Sequence, residues 1–149
     1  MATLNGYGLL TAQTFQNMMF NYGEFTKPAV SVYIALSTSL IDWDNPATMT
    51  EPTGGAYIRK EVPTTTAWWT LADSSEARVE NMQDIVFTKS TASWGTIVAF
   101  AVMRTVSGVT LDDMLWGGVL ETPKTIEADT IAIFQTNDLS ITSTNAVVP

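Results

Sequence analysis

The chain begins with a stretch in which apolar residues recur at helical spacing. Between positions 11 and 22 these residues lie three or four positions apart, which places them on one face of an α-helix. Thr11 is a suitable N-cap, and Gly23 follows as a natural stop. We therefore predict a short N-terminal helix whose apolar face covers the end of a core or docks on a neighbouring subunit. That face carries Ala12, Phe15, Met18, Met19 and Tyr22.

After Pro28 the pattern changes to alternation and to short apolar runs, which predict β-strands. Residues 30–36 place an aliphatic side chain at every second position, as in a half-buried strand. Residues 96–104 are apolar on both faces, which predicts a central strand buried on both sides. Further strands are predicted at 56–62, 68–71, 78–81, 84–88, 115–120, 125–127, 130–135 and 139–142.

The spacing of these segments predicts the fold class. About eight or nine short strands separated by turns are typical of a mainly β protein with a single β-sandwich, of jelly-roll or Ig-like topology. The sequence contains no internal repeat and no linker-like segment. We expect one structural domain over residues 1–149, with an N-terminal arm and helix at 1–27, the β-sandwich at 28–142 and a C-terminal tail at 143–149.

Two residue types that dominate protein chemistry are missing, because the chain has no Cys and no His. Their absence excludes disulfides, thiolate nucleophiles, zinc fingers, imidazole metal ligands and a Ser-His-Asp triad. Carboxylates, lysines, hydroxyls and bound cations remain as catalytic options, but none of these residues lies in a recognisable catalytic motif. We expect a protein that is not an enzyme, with no catalytic residue, no cofactor and no bound metal.

The charge balance narrows the class of partner. Seven basic and 15 acidic residues give a net charge of −8, and the basic residues are scattered. This argues against binding to nucleic acid or to an anionic membrane surface. No apolar run approaches the roughly 18 residues of a membrane span, and the N-terminus lacks a signal-peptide pattern. With only 15% charged residues, the chain is expected to bury much of its exterior against other protein.

Two acidic clusters lie in predicted loops. Asp42, Asp44 and Asn45 could offer oxygen ligands to a cation, but the spacing of a calcium loop is absent, so a turn-forming cluster is favoured. The pair Asp112-Asp113 is interpreted as a solvated turn between strands. A pair of carboxylates could hydrolyse a glycosidic bond, but no acidic residue lies in a recognisable catalytic motif.

The dipeptide Trp68-Trp69 is the most unusual pair in the sequence. Neighbouring residues of a strand face opposite sides, so one indole would enter the core and the other would face outward. The alternatives are two buried rings, a protein interface or a platform for a sugar. Trp43, Trp94 and Trp116 are predicted to pack in the core or against turns.

Two glycine pairs, Gly54-Gly55 and Gly117-Gly118, predict turns or bulges with positive φ angles. Neither pair has the strand–helix context of a phosphate-binding loop.

Several motifs occur in a recognisable order. They lie at residues 27–39 (with Val-Ser-Val-Tyr-Ile-Ala-Leu), 51–59 (Glu-x-x-Gly-Gly-x-Tyr-x-Arg), 94–96 (Trp-Gly-Thr), 120–125 (Leu-x-x-Pro-Lys-Thr) and 138–141 (Asp-Leu-x-Ile). In order and spacing the chain resembles the small structural proteins of tailed bacteriophages often labelled "phage tail fibre protein". The resemblance covers most of residues 9–142. The chain departs from the pattern at residues 127–130, where Glu-Ala-Asp-Thr replaces Ala-Gly-Asp-Thr, and at 104–114.

The resemblance implies a structural protein at the exterior of a phage particle that is assembled in the host cytoplasm. A fibre usually needs a shaft of repeats or coiled coil, and the chain has neither. We therefore expect a capsid decoration or cement protein that bridges shell subunits, with the major capsid protein or other virion proteins as partners. A tail or tail-fibre component and a host-glycan-binding adhesin are the alternatives. Because closed symmetric oligomers are the common solution for such domains, we also expect a homotrimer.

Overall fold

The computed structural model describes residues 2–7, 30–42, 45–73 and 78–142. Within these ranges the chain forms ten β-strands and one short 3-10 helix, Pro46–Thr48, which confirms the mainly β prediction. The strands are β1 (Ala2–Tyr7), β2 (Ser31–Ser37), β3 (Lys60–Pro63), β4 (Trp69–Asp73), β5 (Arg78–Asn81), β6 (Ile85–Lys89), β7 (Gly95–Met103), β8 (Met114–Ile126), β9 (Ile131–Phe134) and β10 (Ser140–Thr142). No helix in the described parts of the chain is long and apolar enough to cross a membrane.

The strands form three antiparallel sheets. The largest has the order β1-β8-β7-β2-β3, the second has the order β10-β5-β4, and the third pairs β6 with β9. One core unites them, because Ile34 and Phe100 of the large sheet share a buried cluster with Ile85 of β6 and Ile141 of β10. The sheets therefore pack face to face, consistent with the predicted β-sandwich.

The second face of the large sheet is buried along β2 and β7 as well. A separate buried cluster on this face joins β2, β7 and the loop that follows β2. Its members include Ala35, Ala99, Ala101, Met103, Ile41 and Met49. This confirms that residues 96–104 contain a central strand that is buried on both sides. The prediction that residues 30–36 form a half-buried strand is corrected, because β2 is covered on both faces along most of its length. β2 is also an inner strand, paired with β7 on one side and β3 on the other.

An irregularity in the pairing of β7 with β8 affects which residues of β7 reach the main core. The pairing of β7 with β8 shifts between Ile97 and Ala99, where the partner changes from Lys124 to Val119. Ile97 and Phe100 consequently belong to the same buried cluster although they are three positions apart. Pro123 lies in the stretch of β8 that has no partner on β7, where its missing N–H removes no hydrogen bond between the two strands.

Strand β8 corrects the prediction of two separate strands at 115–120 and 125–127. It is one long strand, Met114–Ile126, and Gly117 and Gly118 continue it with no positive φ, so these glycines form no turn. Gly118 lies directly opposite Phe100 and therefore places no side chain on the face where that ring packs.

At the N-terminus the structure adds a strand that the pattern does not predict. β1 contains Asn5 and Gly6, which are poor strand formers, and it forms because β8 offers it an edge to pair with. The predicted helix at 11–22 and the predicted tail at 143–149 lie outside the described residues.

Candidate functional site

A buried ion pair holds the loop between β2 and β3. Arg59 is 5% exposed, and its Nε donates to both carboxylate oxygens of Glu51 at 3.1 Å. Its Nη2 also donates to Glu51 Oε1, and its Nη1 donates to the backbone carbonyl of Thr105 at 2.9 Å. The guanidinium therefore ties this loop to the segment that follows β7, and its charge is compensated inside the protein.

Tyr57 completes the polar network. Its hydroxyl donates to Glu51 Oε2 at 2.9 Å and accepts from the backbone N–H of Leu36 in β2 at 2.9 Å. Burial, together with the neighbouring carboxylate, raises the pKa of Tyr57 above its ordinary value, so the phenol keeps its proton. The three conspicuous polar residues of the Glu-x-x-Gly-Gly-x-Tyr-x-Arg motif thus make hydrogen bonds with one another and with the backbone, and their role is structural.

The glycines of the same motif form a tight turn against a buried indole. Gly54, Gly55 and Ala56 have φ angles of 75°, 59° and 60°, which confirms the predicted turn and delays β3 until residue 60. Trp94 is 4% exposed, as predicted for a core residue, and its Nε1 donates to the carbonyl of Gly55 at 2.8 Å. Its ring also meets the ring of Tyr57 edge-on at a centroid distance of 5.2 Å. Two motifs separated in sequence therefore form one packed unit.

Substituting alanine separately at the two glycines should separate backbone strain from packing. At Gly55 a Cβ would lie 2.9 Å from both the Ala92 carbonyl and Trp94 Nε1, whereas at Gly54 nothing lies within 4 Å. Both Gly→Ala changes cost about 1–2 kcal/mol for the positive φ. Gly55→Ala should cost about 1–3 kcal/mol more because the indole must shift. Urea unfolding of both variants measures the difference, and equal losses of stability would contradict the packing argument.

The tryptophan pair predicted as an interface candidate lies at the start of β4. Trp68 belongs to the preceding turn and Trp69 begins the strand, and both are half-buried against the main core. Trp69 Nε1 donates to the carbonyl of Pro63 at 2.9 Å, so this indole N–H is used within the fold. Contact of either ring with another protein or with a sugar stays a prediction. Trp116 is half-buried in β8, and Trp43 lies outside the described residues.

The other interface candidates, Phe15, Met18, Met19 and Tyr22, also lie outside the described residues. Their predicted contact with a neighbouring subunit therefore stays a prediction.

The first acidic cluster is a turn within the described residues. Asn45 N–H donates to the carbonyl of Asp42 at 3.0 Å, and the Thr48 hydroxyl accepts from Asp42 N–H at 2.8 Å. Asp44 lies outside the described residues. Across the described ranges, no group of three or more Asp and Glu side chains is placed to hold a metal ion together.

The second acidic pair also lies in a turn, as predicted, and one of its carboxylates organises the loop. Asp113 Oδ1 accepts from the Thr105 hydroxyl at 2.9 Å, and Oδ2 accepts from the N–H and hydroxyl of Thr110 at 3.0 and 2.7 Å. Burial alone would raise the pKa of Asp113, but the hydrogen bonds from Thr110 and Thr105 outweigh it and lower the pKa.

Asp113→Asn should reduce stability at neutral pH by on the order of 1 kcal/mol, because one of the two accepting oxygens becomes an NH2 group, which cannot accept a hydrogen bond. The pKa of Asp113 is lower in the folded protein than in the unfolded chain, where it is about 3.9. The ionised carboxylate therefore stabilises the fold above that pH, and this stabilisation is lost as the pH falls through the folded pKa. The gap between wild type and variant should therefore close as the pH falls below about 4. Chemical unfolding between pH 7 and pH 3 tests this, and a gap that does not change with pH would contradict it.

Both ends of β9 are fixed by buried polar residues that sequence reasoning missed. Ser90 Oγ donates to the carbonyls of Glu127 and Thr130 at 2.6 and 2.9 Å, which secures the turn before β9. After β9, Asn81 Nδ2 donates to the carbonyl of Gln135 at 2.8 Å, and Asn81 Oδ1 accepts from Leu139 N–H at 2.9 Å. Nothing in the local pattern marks either residue, because the partners that flank β9 lie 37 to 58 positions away.

The outer face of the β6–β9 pair is apolar and exposed. Val86 lies opposite Ile133, and both belong to the exposed apolar residues together with Ile131. A cluster of this kind on one small sheet is a feature of protein contact surfaces. The sequence pattern predicts β9 as a strand, but it does not show which face of that strand is exposed to solvent.

A groove of about 620 Å³ lies between the second half of β8 and β9. We call it the edge groove; Leu36 and Ile97 contribute to it from the large sheet. Successive residues of both strands line it, as expected where strand edges rather than faces border a groove. They are Leu120, Glu121, Thr122, Lys124, Thr125 and Ile126 on one side and Ile131, Ala132, Ile133 and Phe134 on the other.

Comparison with known proteins identifies one family. A family model described as "Podophage GP4 fiber I protein gp80" matches residues 9–142 of the chain. The match includes β2 to β10, and with them the Glu51–Arg59 pair, the Trp94 unit and the edge groove. No curated protein matches the chain.

Proposed function

The chain belongs to the family of podophage GP4 fiber I protein gp80, and from this we propose that it is a component of a phage tail fibre. The match spans most of the chain, and the family description names a fibre protein. It therefore supports a structural component of a phage virion and favours the tail-fibre alternative over the capsid decoration or cement protein expected from the lack of a shaft.

The proposed mode of action is contact between proteins and not chemistry. In the described part of the chain, the most conspicuous polar network is occupied by internal hydrogen bonds. The exposed aliphatic side chains of β6 and β9 are instead suited to packing against another protein surface. We propose that the chain is not an enzyme and that its partners are other virion proteins and further copies of itself, arranged as a homotrimer.

Labelling of intact phage particles tests the proposed location. Gold-tagged antibodies raised against the purified protein should bind at the tail in electron micrographs. Antibody first adsorbed with the purified protein should give no labelling, which controls for cross-reaction. Gold found only on the capsid would contradict the tail-fibre proposal and restore the decoration hypothesis.

A further inference from the structure

The connection between β7 and β8, residues 104–113, presents an apolar tip; we call it the β7–β8 loop. Val106 is 58% exposed and Val109 is 40% exposed, although both lie in a connection where polar side chains are usual. Asp112 follows them and is also exposed, and no basic side chain in the described ranges forms an ion pair with it. The loop therefore offers a partner two aliphatic side chains and one negative charge.

Hydrogen bonds fix the base of the β7–β8 loop. The Asp113 carboxylate accepts from Thr105 and Thr110, and the Thr105 hydroxyl accepts from Gly108 N–H at 2.9 Å. Arg59 binds the Thr105 carbonyl from the loop between β2 and β3. The tip is therefore held in place before a partner arrives, so that docking costs little conformational entropy.

The edge groove is a receptor of suitable size and character. Its volume of about 620 Å³ falls within the range of about 300–1,000 Å³ that is typical of binding pockets. Ile131 and Ile133 on its border are each 47% exposed. Leu120 and Phe134, which also line it, are half-buried. Aliphatic side chains that enter the groove can therefore cover apolar surface that is exposed in the single chain.

The charges of the two surfaces are complementary. Lys124 on the border of the groove is exposed, and among the described residues no carboxylate forms an ion pair with it. The carboxylates of the groove are already engaged, because Asp138 accepts from Gln135 N–H at 2.9 Å and Glu121 has an interaction of its own. An acidic loop that enters the groove therefore meets a lysine that lacks a counter-charge.

We infer that the β7–β8 loop of one copy of the chain docks in the edge groove of a second copy. In this contact Val106 and Val109 pack against the β9 side of the groove, and Asp112 pairs with Lys124. The valines supply the apolar anchors of the interface, and the ion pair sets the orientation of the loop.

The position of the two surfaces excludes docking within one copy. Lys124 pairs with Ile97 near the start of β7, whereas the loop begins after Met103 at the end of that strand. Six residues of extended strand, about 20 Å, separate these two points. Because each copy carries one loop and one groove, the contact is head-to-tail, and copies add until a ring closes or a filament grows. The homotrimer of the proposed function corresponds to a ring of three.

Charge exchange tests the contact in solution by analytical ultracentrifugation. Asp112→Lys makes loop and groove both positive, and Lys124→Asp makes both negative, so each variant alone should raise the dissociation constant for self-association at least tenfold. An equimolar mixture of the two variants restores opposite charges wherever unlike copies meet, and it should associate within about threefold of wild type. Glu61→Lys makes the same charge change as Asp112→Lys at an exposed position of β3 and should leave the constant unchanged.

Three outcomes of this experiment would overturn the inference. They are a wild-type protein that stays monomeric at millimolar concentration, single variants that associate as tightly as wild type, and a mixture that stays as weak as either variant alone. Recovery in the mixture also shows that both variants are folded.

A disulfide between copies gives a second readout, because the chain has no cysteine of its own. One copy would carry Val109→Cys and a tag that changes its mobility, and the other would carry Thr122→Cys on the border of the groove. Under mild oxidation this mixture should form the mixed disulfide dimer at least ten times faster than Val109→Cys mixed with Thr53→Cys, an exposed position outside the groove. Equal rates in the two mixtures, or no dimer in either, would contradict docking of the loop in the groove.

The head-to-tail contact goes beyond the proposed function, because it can form wherever the protein lies in the virion. Failure of these experiments on purified protein would leave the tail-fibre proposal standing. Gold labelling of the capsid would leave the head-to-tail contact standing.

Discussion

Glu51→Gln is expected to destabilise the protein by about 3–5 kcal/mol, the largest effect among the substitutions considered. The Arg59 side chain is 2% exposed, so after the substitution its guanidinium would remain buried without a counter-charge. Arg59→Met should cost less, because the Glu51 carboxylate is 21% exposed and can reach water once its partner is gone. Urea unfolding of the purified variants measures both losses.

The double variant Glu51→Gln/Arg59→Met shows whether the two effects share one cause. If the ion pair is the cause, the double variant should lose less stability than the sum of the single losses, with a coupling on the order of 1–3 kcal/mol. A Glu51→Gln variant within 1 kcal/mol of wild type would contradict the buried-pair argument.

Asn81→Ala is expected to cost about 2–4 kcal/mol, because it leaves buried backbone groups without partners. Asn81 is fully buried, and its amide bonds the carbonyls of Gln83 and Gln135 and the N–H of Leu139. The N–H of Leu139 is the costliest loss, because that residue is fully buried and water cannot replace the amide oxygen.

Gln83→Ala is a matched control for that substitution. Gln83 is exposed and its side chain makes a hydrogen bond to the carbonyl of Ala67, so its loss should stay within about 0.5 kcal/mol. Hydrogen exchange should also show faster exchange at Leu139 in Asn81→Ala than in wild type. Equal stability losses in the two variants would contradict the role given to Asn81.

The sequence predicted the fold where local pattern and burial agree. Residues 96–104 are apolar on both faces, and β7 is buried on both faces for that reason. The sequence also predicts that Trp94 packs in the core or against a turn, because large rings favour burial. It predicts a turn at Gly54-Gly55 because glycine is favoured where φ is positive.

The rest depends on partners that are distant in the sequence. The pattern does not predict β1, since only the edge of β8 makes a strand of it. It divides β8 into 115–120 and 125–127 because the polar residues 121–124, which include Pro123, do not continue the apolar pattern. Arg59 makes a hydrogen bond to a residue that is 46 positions away in the sequence, and Asn81 makes one to a residue that is 54 positions away. The local periodicity of the sequence cannot reveal contacts over such separations. The side of β9 that pairs with no described strand is equally hidden, because strand pairing and not the residues of β9 determines which side that is.

The sequence therefore predicts the fold better than it predicts the residues of the candidate site. The tryptophan pair is rare in sequence, yet the indole N–H of Trp69 donates to the Pro63 carbonyl within the fold. The aliphatic residues of β9 are common ones, and only the topology shows that their backbone borders a groove.

The pairing of β1 with β8 also sets when the protein can finish folding. Ala2 pairs with Leu120, 118 positions further along the chain, so β1 has no partner strand until that later part has been synthesised. β7, at the centre of the same sheet, likewise connects residues 33–37 with residues 114–126. Such distant pairing is typical of domains that fold in milliseconds to seconds and not in microseconds. During that interval the early strands expose unpaired edges, and crowded nascent chains are then most prone to aggregate.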